Sequence, residues 1–202
     1  MKNEDYLDKH NKDNQELRDA VTRILEITGN DISREGLLDT PDRVARMWRE
    51  LFQGLQQDPS EPLSTTFETE SDSMVVVKDI PFHSVCEHHL IPFRGVAHVG
   101  YIPGEIRKGT YRIVGLSKFA RLVDIFARRP QVQENLTSQV ADAIERQLKP
   151  QGVIVVMKAE HLCMSMRGVR KPGSSTVTSS VTGLFSKNTD DVKGEFFRML
   201  DI

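Results

Sequence analysis

Two short stretches of the sequence set cysteine beside histidine. The first, "SVCEHHLIPF", contains Cys86, His88 and His89, and the second, "AEHLCMSMRGVRK", contains His161 and Cys163. The chain has two cysteines, and four of its six histidines lie within three positions of one of them, far more than an even spread would give. Thiolate and imidazole are the ligand types that zinc and related metals prefer. The two stretches therefore predict a metal site.

The cysteines have other conceivable uses. The amino-terminal stretch "MKNEDYLDKHNKDNQE" is charged throughout and lacks the apolar core of a secretory signal, which predicts a cytoplasmic protein. A disulfide is disfavoured because thiols stay reduced in that compartment. Two buried, inert cysteines are the plain structural alternative. That alternative leaves the clustered histidines unexplained, so metal binding is favoured.

The spacing also bears on the number of ligands. Cys86 and His89 are three residues apart and can converge in a tight turn, whereas Cys163 must come from a distant segment. Three protein ligands with an open fourth position form the pattern of a catalytic zinc site, in which the metal activates water. His88 and His161 would then be available as acid and base. A closed structural site that uses one of these two histidines as a fourth ligand remains open.

The bulk composition excludes two function classes. The formal net charge of −2 does not suggest a nucleic-acid-binding surface. The sequence has no apolar run approaching the roughly 20 residues that span a bilayer, so a membrane protein is not expected. A length of 202 residues allows one well-filled domain, with or without a small helical appendage.

The first 73 residues predict a helical region and a linker. An apolar stripe over 14–28 that stops at Gly29 indicates an amphipathic helix. A second helix is predicted to open at "TPDRVARMWRELF", with Thr40 as its cap and Pro41 in its first turn. The polar stretch that follows, up to residue 73, is typical of a linker or long loop. The division predicted is therefore 1–73 and 74–202.

Residues 74–202 predict the elements that must position the cysteines and histidines. "MVVVKDI" and "RGVAHVGYI" have the texture of strands. Two helical patterns follow, separated by Pro130, and the second repeats apolar residues at intervals of four from Val132 to Leu148. "GVIVVMKAEHLCMSM" and "SSTVTSSVTGLF" predict further strands. This order indicates an α+β fold with an antiparallel sheet covered on one face.

Basic residues cluster near the start of the first of these two helices. Ser117 stands where a helix cap belongs, Lys118 follows in the first turn, and Arg121 lies three residues beyond. A helix amino terminus with added cations favours phosphate, and Arg167, which follows the second cysteine, could be carried towards it. Such charge runs are as often simple solvated faces. If these basic residues bind phosphate, they and the predicted metal site together indicate a small phosphorylated substrate that is hydrolysed at zinc.

Several motifs of the sequence resemble those of a known family. "CEHH", "GLSKFARLVDIFARRPQVQE", "HLCMSMRGVRKPGS" and "TSSVTGLF", with "DTPDRVARMW" upstream, are similar to the motifs of GTP cyclohydrolase I, a zinc enzyme that opens GTP on the way to folate and other pterins. The resemblance runs from about Thr40 to near the carboxyl terminus, with the motifs in the family's order.

The resemblance implies roles for individual residues. It implies zinc ligation by Cys86, His89 and Cys163, and it implies that the catalytic residues are His88, His161 and Ser117. For substrate binding, it implies that Glu134 and Gln133 hold guanine. The triphosphate and ribose would be bound by Lys118, Arg121 and Arg167 with Ser117. Arg43 would reach a phosphate of a neighbouring subunit's substrate.

The resemblance also implies the reaction and the assembly. The reaction is zinc-dependent hydrolysis and rearrangement of GTP to 7,8-dihydroneopterin triphosphate with release of formate, the first step of tetrahydrofolate and pterin biosynthesis. His161 is favoured as the acid towards N7 of the purine and His88 as its partner. The family's tunnelling fold pairs an antiparallel sheet with two helices on one face, and its subunits form a homodecamer of two stacked pentamers with active sites between subunits.

One segment departs from the family pattern. The connection near residues 104–112 is a few residues longer than usual, which predicts a longer hairpin whose Arg107 and Lys108 face solvent.

Two rival functions remain. A nucleoside deaminase is disfavoured because its H-x-E and P-C-x-x-C signature is absent from the sequence. A non-catalytic or repurposed nucleotide-binding zinc protein of the same fold is the remaining alternative, against which the intact His88 and His161 argue.

Overall fold

The computed structural model describes the backbone of residues 3–187 and 190–200, and the side chains of residues 14–187 and 191–200. Backbone proximity divides the chain into two units, Met1–Phe52 and Gln53–Ile202. Within the described ranges, no helix combines the length and the apolar content needed to cross a bilayer.

The first unit is built from two helices, α1 (Asn3–Ile27) and α2 (Thr40–Leu51). The first begins earlier than predicted but ends as predicted, before Gly29, whose φ of +82° turns the chain out of the helix. The Nε of Arg18 in α1 donates to the Asp42 carboxylate of α2 at 2.6 Å. This ion pair ties the two helices together.

The start of α2 differs from the prediction in one detail. Thr40 is the first helical residue and not the cap, and Asp39, which precedes it, makes no side-chain cap bond. The Thr40 hydroxyl instead donates to the Gly36 carbonyl at 3.4 Å. Pro41 lies in the first turn as predicted, where a backbone N–H would have no helical partner in any case.

The second unit contains the remaining described elements. Its strands are β1 (Thr66–Thr69), β2 (Val75–Cys86), β3 (Pro92–Ile102), β4 (Gly104–Arg107), β5 (Thr110–Val114), β6 (Pro130–Gln131), β7 (Gly152–His161) and β8 (Thr176–Val181). Its helices are α3 (Ser117–Ala127), α4 (Gln133–Leu148), the short α5 (Leu162–Ser165) and α6 (Asp190–Leu200).

The main sheet has the strand order β6-β2-β3-β7-β8. Its long strands pair antiparallel, and the short β6 runs parallel to the end of β2. Val85 of β2 pairs with Pro92 of β3, and Phe93 of β3 pairs with His161 of β7. The ends of β2 and β7 therefore meet at the start of β3, which brings the two cysteine-containing stretches to one end of the sheet.

Helices α3 and α4 pack on one face of this sheet. The predicted apolar repeat of α4 is buried, with Leu136, Val140 and Ile144 fully so, and α3 contributes Phe119 and Leu122 to the same core. Burial of this apolar surface is the main force that seats the helices. The predicted α+β architecture, an antiparallel sheet with two helices on one face and an amino-terminal helical region, is confirmed.

The sequence pattern does not predict α6, which packs on the opposite face of the sheet. Phe196 and Leu200 of α6 are buried with Ile154 of β7 and with Phe185. A side chain at Gly100 of β3 would meet the Phe196 ring at 2.6 Å, so glycine is needed there for the helix to approach. The sheet is thus covered in part on its second face as well.

The segment 53–73, predicted to be a linker or long loop, contains ordered elements. It forms two 3-10 turns, Gln53–Gln56 and Glu61–Leu63, followed by β1, which pairs with β5. Leu63 is fully buried in the core. A single buried leucine among polar residues gives no periodicity, so the pattern could not reveal this packing.

The hairpin near residues 104–112 is confirmed as β4 and β5, which with β1 form a small sheet of order β1-β5-β4. Gly109 in the turn has a φ of +72°. The Arg107 side chain is 65% exposed, as expected for a solvent-facing tip, and it pairs with Glu68 of β1 at 2.6 Å.

Candidate functional site

Cys86 and His89 are joined by the tight turn that their spacing predicts. Cys86 is the last residue of β2 and is buried. The turn closes through the Leu90 amide, which donates to the Cys86 carbonyl at 2.8 Å, and Leu90 adopts a left-handed φ of +53°. This geometry folds His89 back, so that its Nδ1 lies 3.9 Å from Cys86 Sγ.

Cys163 reaches the same place from the other stretch, but not as part of a strand. The strand β7 ends at His161, and Cys163 lies on the helical turn α5 that follows. The strand predicted for "GVIVVMKAEHLCMSM" therefore ends before Cys163. The ligand atoms of Cys86, His89 and Cys163 nevertheless all lie within 4.8 Å of one another.

This donor set fits a zinc-type metal. Two thiols and one imidazole are borderline-soft ligands, and two such donors on one tetrahedral zinc ion lie roughly 3.5–4 Å apart. Small side-chain rotations would bring the observed donors to that spacing. His89 is exposed and Cys163 is half-buried, so the cluster is reachable from solvent. The structure thus shows a Cys–His–Cys cluster that could bind a metal ion.

The electrostatics of the two thiols agree with such a site. Burial raises the pKa of the Cys163 thiol, and the neighbouring Cys86 raises it further, while Arg167 lowers it in part. Two adjacent thiolates repel each other when no cation stands between them. A divalent cation would remove that penalty and deprotonate coordinating thiols.

His161 stands beside the cluster in a defined setting. Its ring stacks on Phe93, with centroids 4.5 Å apart and planes 5° apart. Its Nε2 lies 2.7 Å from Oε1 of Gln133, the first residue of α4. Burial lowers the pKa of His161, and the Glu134 carboxylate raises it in part. His161 is therefore held firmly but still lines an open pocket.

That pocket, of about 270 Å³, brings most of the predicted site residues together. Those that line it are Cys86, His88, His89, Gln133, Glu134, His161 and Cys163.

Two of these residues, Glu134 and His88, are exposed at the rim. Glu134 lies in the first turn of α4, and His88 meets the His89 ring edge to face at 6.3 Å. Imidazole, thiol and carboxylate groups thus share one cavity.

Gln133 is the most buried of the pocket-lining residues predicted to contact substrate. The residue is 1% exposed, and its amide nitrogen donates to groups on β7 and β8. Gln133 thus lines the pocket while its side-chain amide is engaged by protein groups, and its contact with guanine stays a prediction.

Arg167 approaches the cluster through His89. Its Nη1 lies 3.2 Å from His89 Nε2, on the side of the ring opposite to the nitrogen that faces Cys86. The sequence leaves open whether this arginine comes near the metal ligands, and the structure brings it next to one of them.

The other predicted phosphate ligands lie elsewhere in the chain. Lys118 and Arg121 line a second pocket of about 360 Å³, together with Gln53, Glu61 and Arg128. The two pockets share no lining residue. Because α3 turns its apolar side to the core, Lys118 and Arg121 face the 3-10 turns of the 53–63 segment.

Neither Ser117 nor Arg43 is among the residues that line the Cys–His pocket. Ser117 is the exposed first residue of α3, and the cap position belongs to Leu116, which makes no side-chain cap bond. The prediction that Ser117 caps this helix is therefore wrong. Arg43 belongs to the first unit, where it pairs with Asp39 at 3.6 Å.

Sequence reasoning missed the residues that hold His161 in place. Phe93, Thr178 and Thr137 contact either His161 or Gln133, and none of them stands near the histidine in the sequence. Pairing the strand that begins near Phe93 with the strand that ends at His161 would have revealed the first of these contacts. Nothing in the local sequence pattern signals the two threonines.

Comparison with known proteins agrees with the motifs. A family model described as GTP cyclohydrolase I matches residues 17–201. The GTP cyclohydrolase 1 of Mycobacterium tuberculosis is 58% identical over 176 residues, which cover 87% of this chain and 85% of that protein. That of Carboxydothermus hydrogenoformans is 60% identical over 174 residues, covering 86% and 88%. That of Mycolicibacterium gilvum is 61% identical over 166 residues, covering 82% and 80%.

Among solved structures, the apo form of an archaeosine synthase aligns with a TM-score of 0.44 and 20% identity, covering 56% of this chain and 96% of that one. This likeness is too distant to inform the site. The sequence matches, by contrast, span most of the chain at high identity. They show that the chain belongs to the GTP cyclohydrolase I family, as its motifs predict.

Proposed function

We propose that this protein hydrolyses and rearranges GTP to 7,8-dihydroneopterin triphosphate with release of formate, the first step of tetrahydrofolate and pterin biosynthesis. Relatives of 58–61% identity are named GTP cyclohydrolase 1. The observation that carries the proposal is the convergence of the Cys86, His89 and Cys163 donors with His161 and Glu134 around one pocket. A metal centre, an acid–base imidazole and a carboxylate that can receive guanine are the groups this chemistry requires.

The metal proposed for the cluster is zinc, held by Cys86, His89 and Cys163. When bound, zinc supplies Lewis-acid activation of water at neutral pH. The two thiols favour zinc over magnesium or calcium, which prefer oxygen ligands. His161 and His88 line the same pocket but stay outside the ligand set, which leaves a position for solvent and keeps both imidazoles available for proton transfer.

The acid–base work is assigned to His161 and His88. Opening the imidazole ring of GTP requires a proton on N7 as water attacks C8, and His161 is proposed as the donor of that proton. His161 suits this role because Phe93 and Gln133 fix its ring. His88, exposed at the pocket rim, is proposed as the second acid–base group. Ser117 is proposed to assist the later proton transfers at the ribose.

Recognition of guanine is assigned to Glu134. Guanine presents two adjacent donors, its ring N–H and its exocyclic amine, and a carboxylate can accept from both at once. Glu134 lines the pocket that holds His161 and is close enough to influence the pKa of that histidine. A base held by Glu134 would therefore lie within reach of the proposed acid.

The triphosphate is assigned to Arg167, Lys118 and Arg121, with Arg43 supplied by a neighbouring subunit. Arg167 already contacts His89. Lys118 and Arg121 line a separate pocket of the same chain, so they serve the Cys–His pocket of another chain in this proposal. Active sites shared between subunits follow, within the homodecamer of stacked pentamers that the family pattern implies.

All of these roles except that of Arg43 fall on residues 74–202, the segment predicted to form the catalytic domain. The proposal is tested by incubating the purified protein with GTP and measuring formate together with the fluorescent pterin formed on oxidation. Both products should appear in equal amounts. Binding of zinc and GTP without either product would instead identify a non-catalytic relative.

A further inference from the structure

Gln133 is a buried residue whose side chain is engaged on every side by the protein. Its Oε1 lies 2.7 Å from Nε2 of His161. Its Nε2 lies 3.1 Å from the Met157 carbonyl, the Thr176 carbonyl and the Thr178 hydroxyl, so that one of its two hydrogens is shared between two acceptors. With 1% of its surface exposed, the side chain has no room for a further partner.

These contacts decide which way the amide faces. The Met157 and Thr176 carbonyls can only accept hydrogen bonds, so the amide group that faces them must be the nitrogen. The oxygen must then face His161, and an amide oxygen can only accept. The His161 Nε2 must therefore carry a hydrogen, which leaves Nδ1 as the nitrogen with the free lone pair in the neutral ring.

A closed ring of hydrogen bonds fixes the amide in this orientation. The Gln133 amide nitrogen donates to the Thr178 hydroxyl, and the Thr178 and Thr137 hydroxyls lie 2.6 Å apart. The Thr137 hydroxyl donates to the Gln133 main-chain carbonyl at 2.7 Å. Since each hydroxyl has one hydrogen, Thr178 must donate to Thr137. The ring begins and ends on Gln133, so its side chain cannot turn without breaking several bonds.

The ring plane of His161 is fixed independently. Phe93 stacks on it with planes 5° apart, an arrangement that is equally compatible with the imidazole turned by 180° about its Cβ–Cγ bond. The Gln133 contact distinguishes the two orientations, because the turned ring would lose the bond to Oε1. The two contacts together leave one orientation and one neutral tautomer.

We propose that Gln133 is a positioning residue that holds His161 in its Nε2–H tautomer, so that the proton exchanged with substrate passes through Nδ1. This inference rests on the function proposed above and gives Gln133 a role other than the guanine contact that the resemblance implies. The hydrogen bonds through Thr178 and Thr137 connect Gln133 to strand β8 and to the next turn of α4.

The test combines a spectroscopic and a kinetic measurement on the metal-loaded protein as purified. Protein with ring-¹⁵N-labelled histidine is examined by magic-angle-spinning NMR at mildly alkaline pH, without substrate, where a histidine of ordinary pKa near 6.5 is neutral. The His161 signals are those that disappear in His161→Asn. Wild type should show a protonated Nε2 and an unprotonated Nδ1 for this residue.

Two substitutions should disturb the tautomer and two should not. Gln133→Met removes the acceptor, and Thr178→Val keeps the side-chain shape but breaks the ring of hydrogen bonds. Both should shift His161 towards the other tautomer or a mixture, and Gln133→Met should lower kcat roughly 10- to 100-fold with little change in the affinity for GTP. Thr178→Ser should restore wild-type behaviour. Gln139→Met, which removes another α4 amide that does not contact His161, should leave both measurements unchanged.

Three results would overturn the proposal. The first is a wild-type His161 that is protonated on Nδ1, and the second is an unchanged tautomer in Gln133→Met. The third is a Gln133→Met variant that binds GTP more weakly at unchanged kcat, which would make Gln133 a substrate contact. If wild-type protein produced neither formate nor pterin, the proposed function would fail, and the nitrogen spectra would still decide the tautomer on their own.

Discussion

Phe93 and His161 face each other across neighbouring antiparallel strands, and their rings stack with centroids 4.5 Å apart. Replacing Phe93 with leucine should remove the flat surface that holds the imidazole plane. We expect kcat for GTP to fall roughly tenfold, since small misplacements of a catalytic group are costly, while the affinity for GTP changes little. Steady-state kinetics with GTP binding measured separately would check this.

Phe82→Leu is the matched control for that variant. Phe82 is also buried and meets Phe93 edge to face at 6.1 Å, but the ring that stacks on His161 is that of Phe93. Both variants should lose about 1–2 kcal/mol of unfolding free energy through the smaller side chain. Equal losses of kcat in the two would mean that core packing and not the stack is responsible.

Metal content separates the proposed ligands from the proposed acid. Cys163→Ala should lose most of its zinc and all turnover, because a thiolate ligand cannot be replaced by a methyl group. His161→Ala should keep its zinc and lose turnover. Atomic emission on both proteins after extensive dialysis measures the metal directly. A comparable loss of zinc from His161→Ala would identify that histidine as a ligand.

Glu134→Gln should weaken recognition of guanine. One carboxylate oxygen is replaced by an NH2 group, which would face a hydrogen-bond donor of guanine. This costs about 1–3 kcal/mol, or roughly 5- to 150-fold in the KM for GTP. Asp142→Asn, an exposed carboxylate on the same helix, is the control and should retain the wild-type KM. An unchanged KM in Glu134→Gln would remove this residue from the guanine site.

The separation of the two pockets predicts complementation between inactive variants. Cys163→Ala lacks a metal ligand and Lys118→Ala lacks a phosphate ligand, so each alone should be inactive. If a site takes its cysteine from one chain and its lysine from another, co-expression of the two variants should restore up to about one quarter of the sites, assuming random assembly. Purified mixed oligomers with no activity above the single variants would show that each site is built within one chain.

His98 predicts a pH dependence of stability. It is buried, and its Nδ1 accepts a hydrogen bond at 3.2 Å from the Asp79 amide, in a bulge of β2. Burial lowers the pKa of His98, Lys78 lowers it further, and the Asp79 carboxylate raises it in part. The unfolded chain therefore takes up this proton before the folded one does. Stability should be level above the ordinary pKa of about 6.5 and fall as the pH drops below it.

His98→Asn is the variant that tests this dependence. Asparagine can offer an acceptor near the position of Nδ1 but cannot take up a proton. The urea midpoint of wild type should therefore fall more steeply below about pH 6.5 than that of the variant. Parallel midpoint curves for the two proteins would assign the acid sensitivity to other groups.

The sequence predicted well those parts of the site that depend on residue type and local spacing. Cys86 and His89 converge because a three-residue separation closes a turn. The clustering of cysteines and histidines is easy to recognise because the sequence contains few of either. The apolar repeat of α4 was long enough to define its buried face. By contrast, α6 shows little beyond Phe196 and Leu200, which is too short a pattern to identify a helix.

What the sequence could not provide were the relations set by pairing between distant segments. The stack of Phe93 on His161 depends on the β3–β7 register, and the bond from Gln133 to Thr178 depends on how α4 lies on β8. The location of Lys118 and Arg121 depends on how α3 rotates to bury its apolar side. None of these is encoded in a local motif.

The ring of hydrogen bonds through Thr137 and Thr178 connects α4 to β8, so the position of this helix on that strand affects the orientation of His161. Apolar residues of α4 such as Leu136 and Val140 never meet the substrate, yet any repacking that slides the helix along β8 would loosen the imidazole's anchor. Substitutions deep in this layer can therefore lower turnover without changing any residue that lines the pocket. Catalytic tuning in this chain extends into residues that a map of the pocket would leave out.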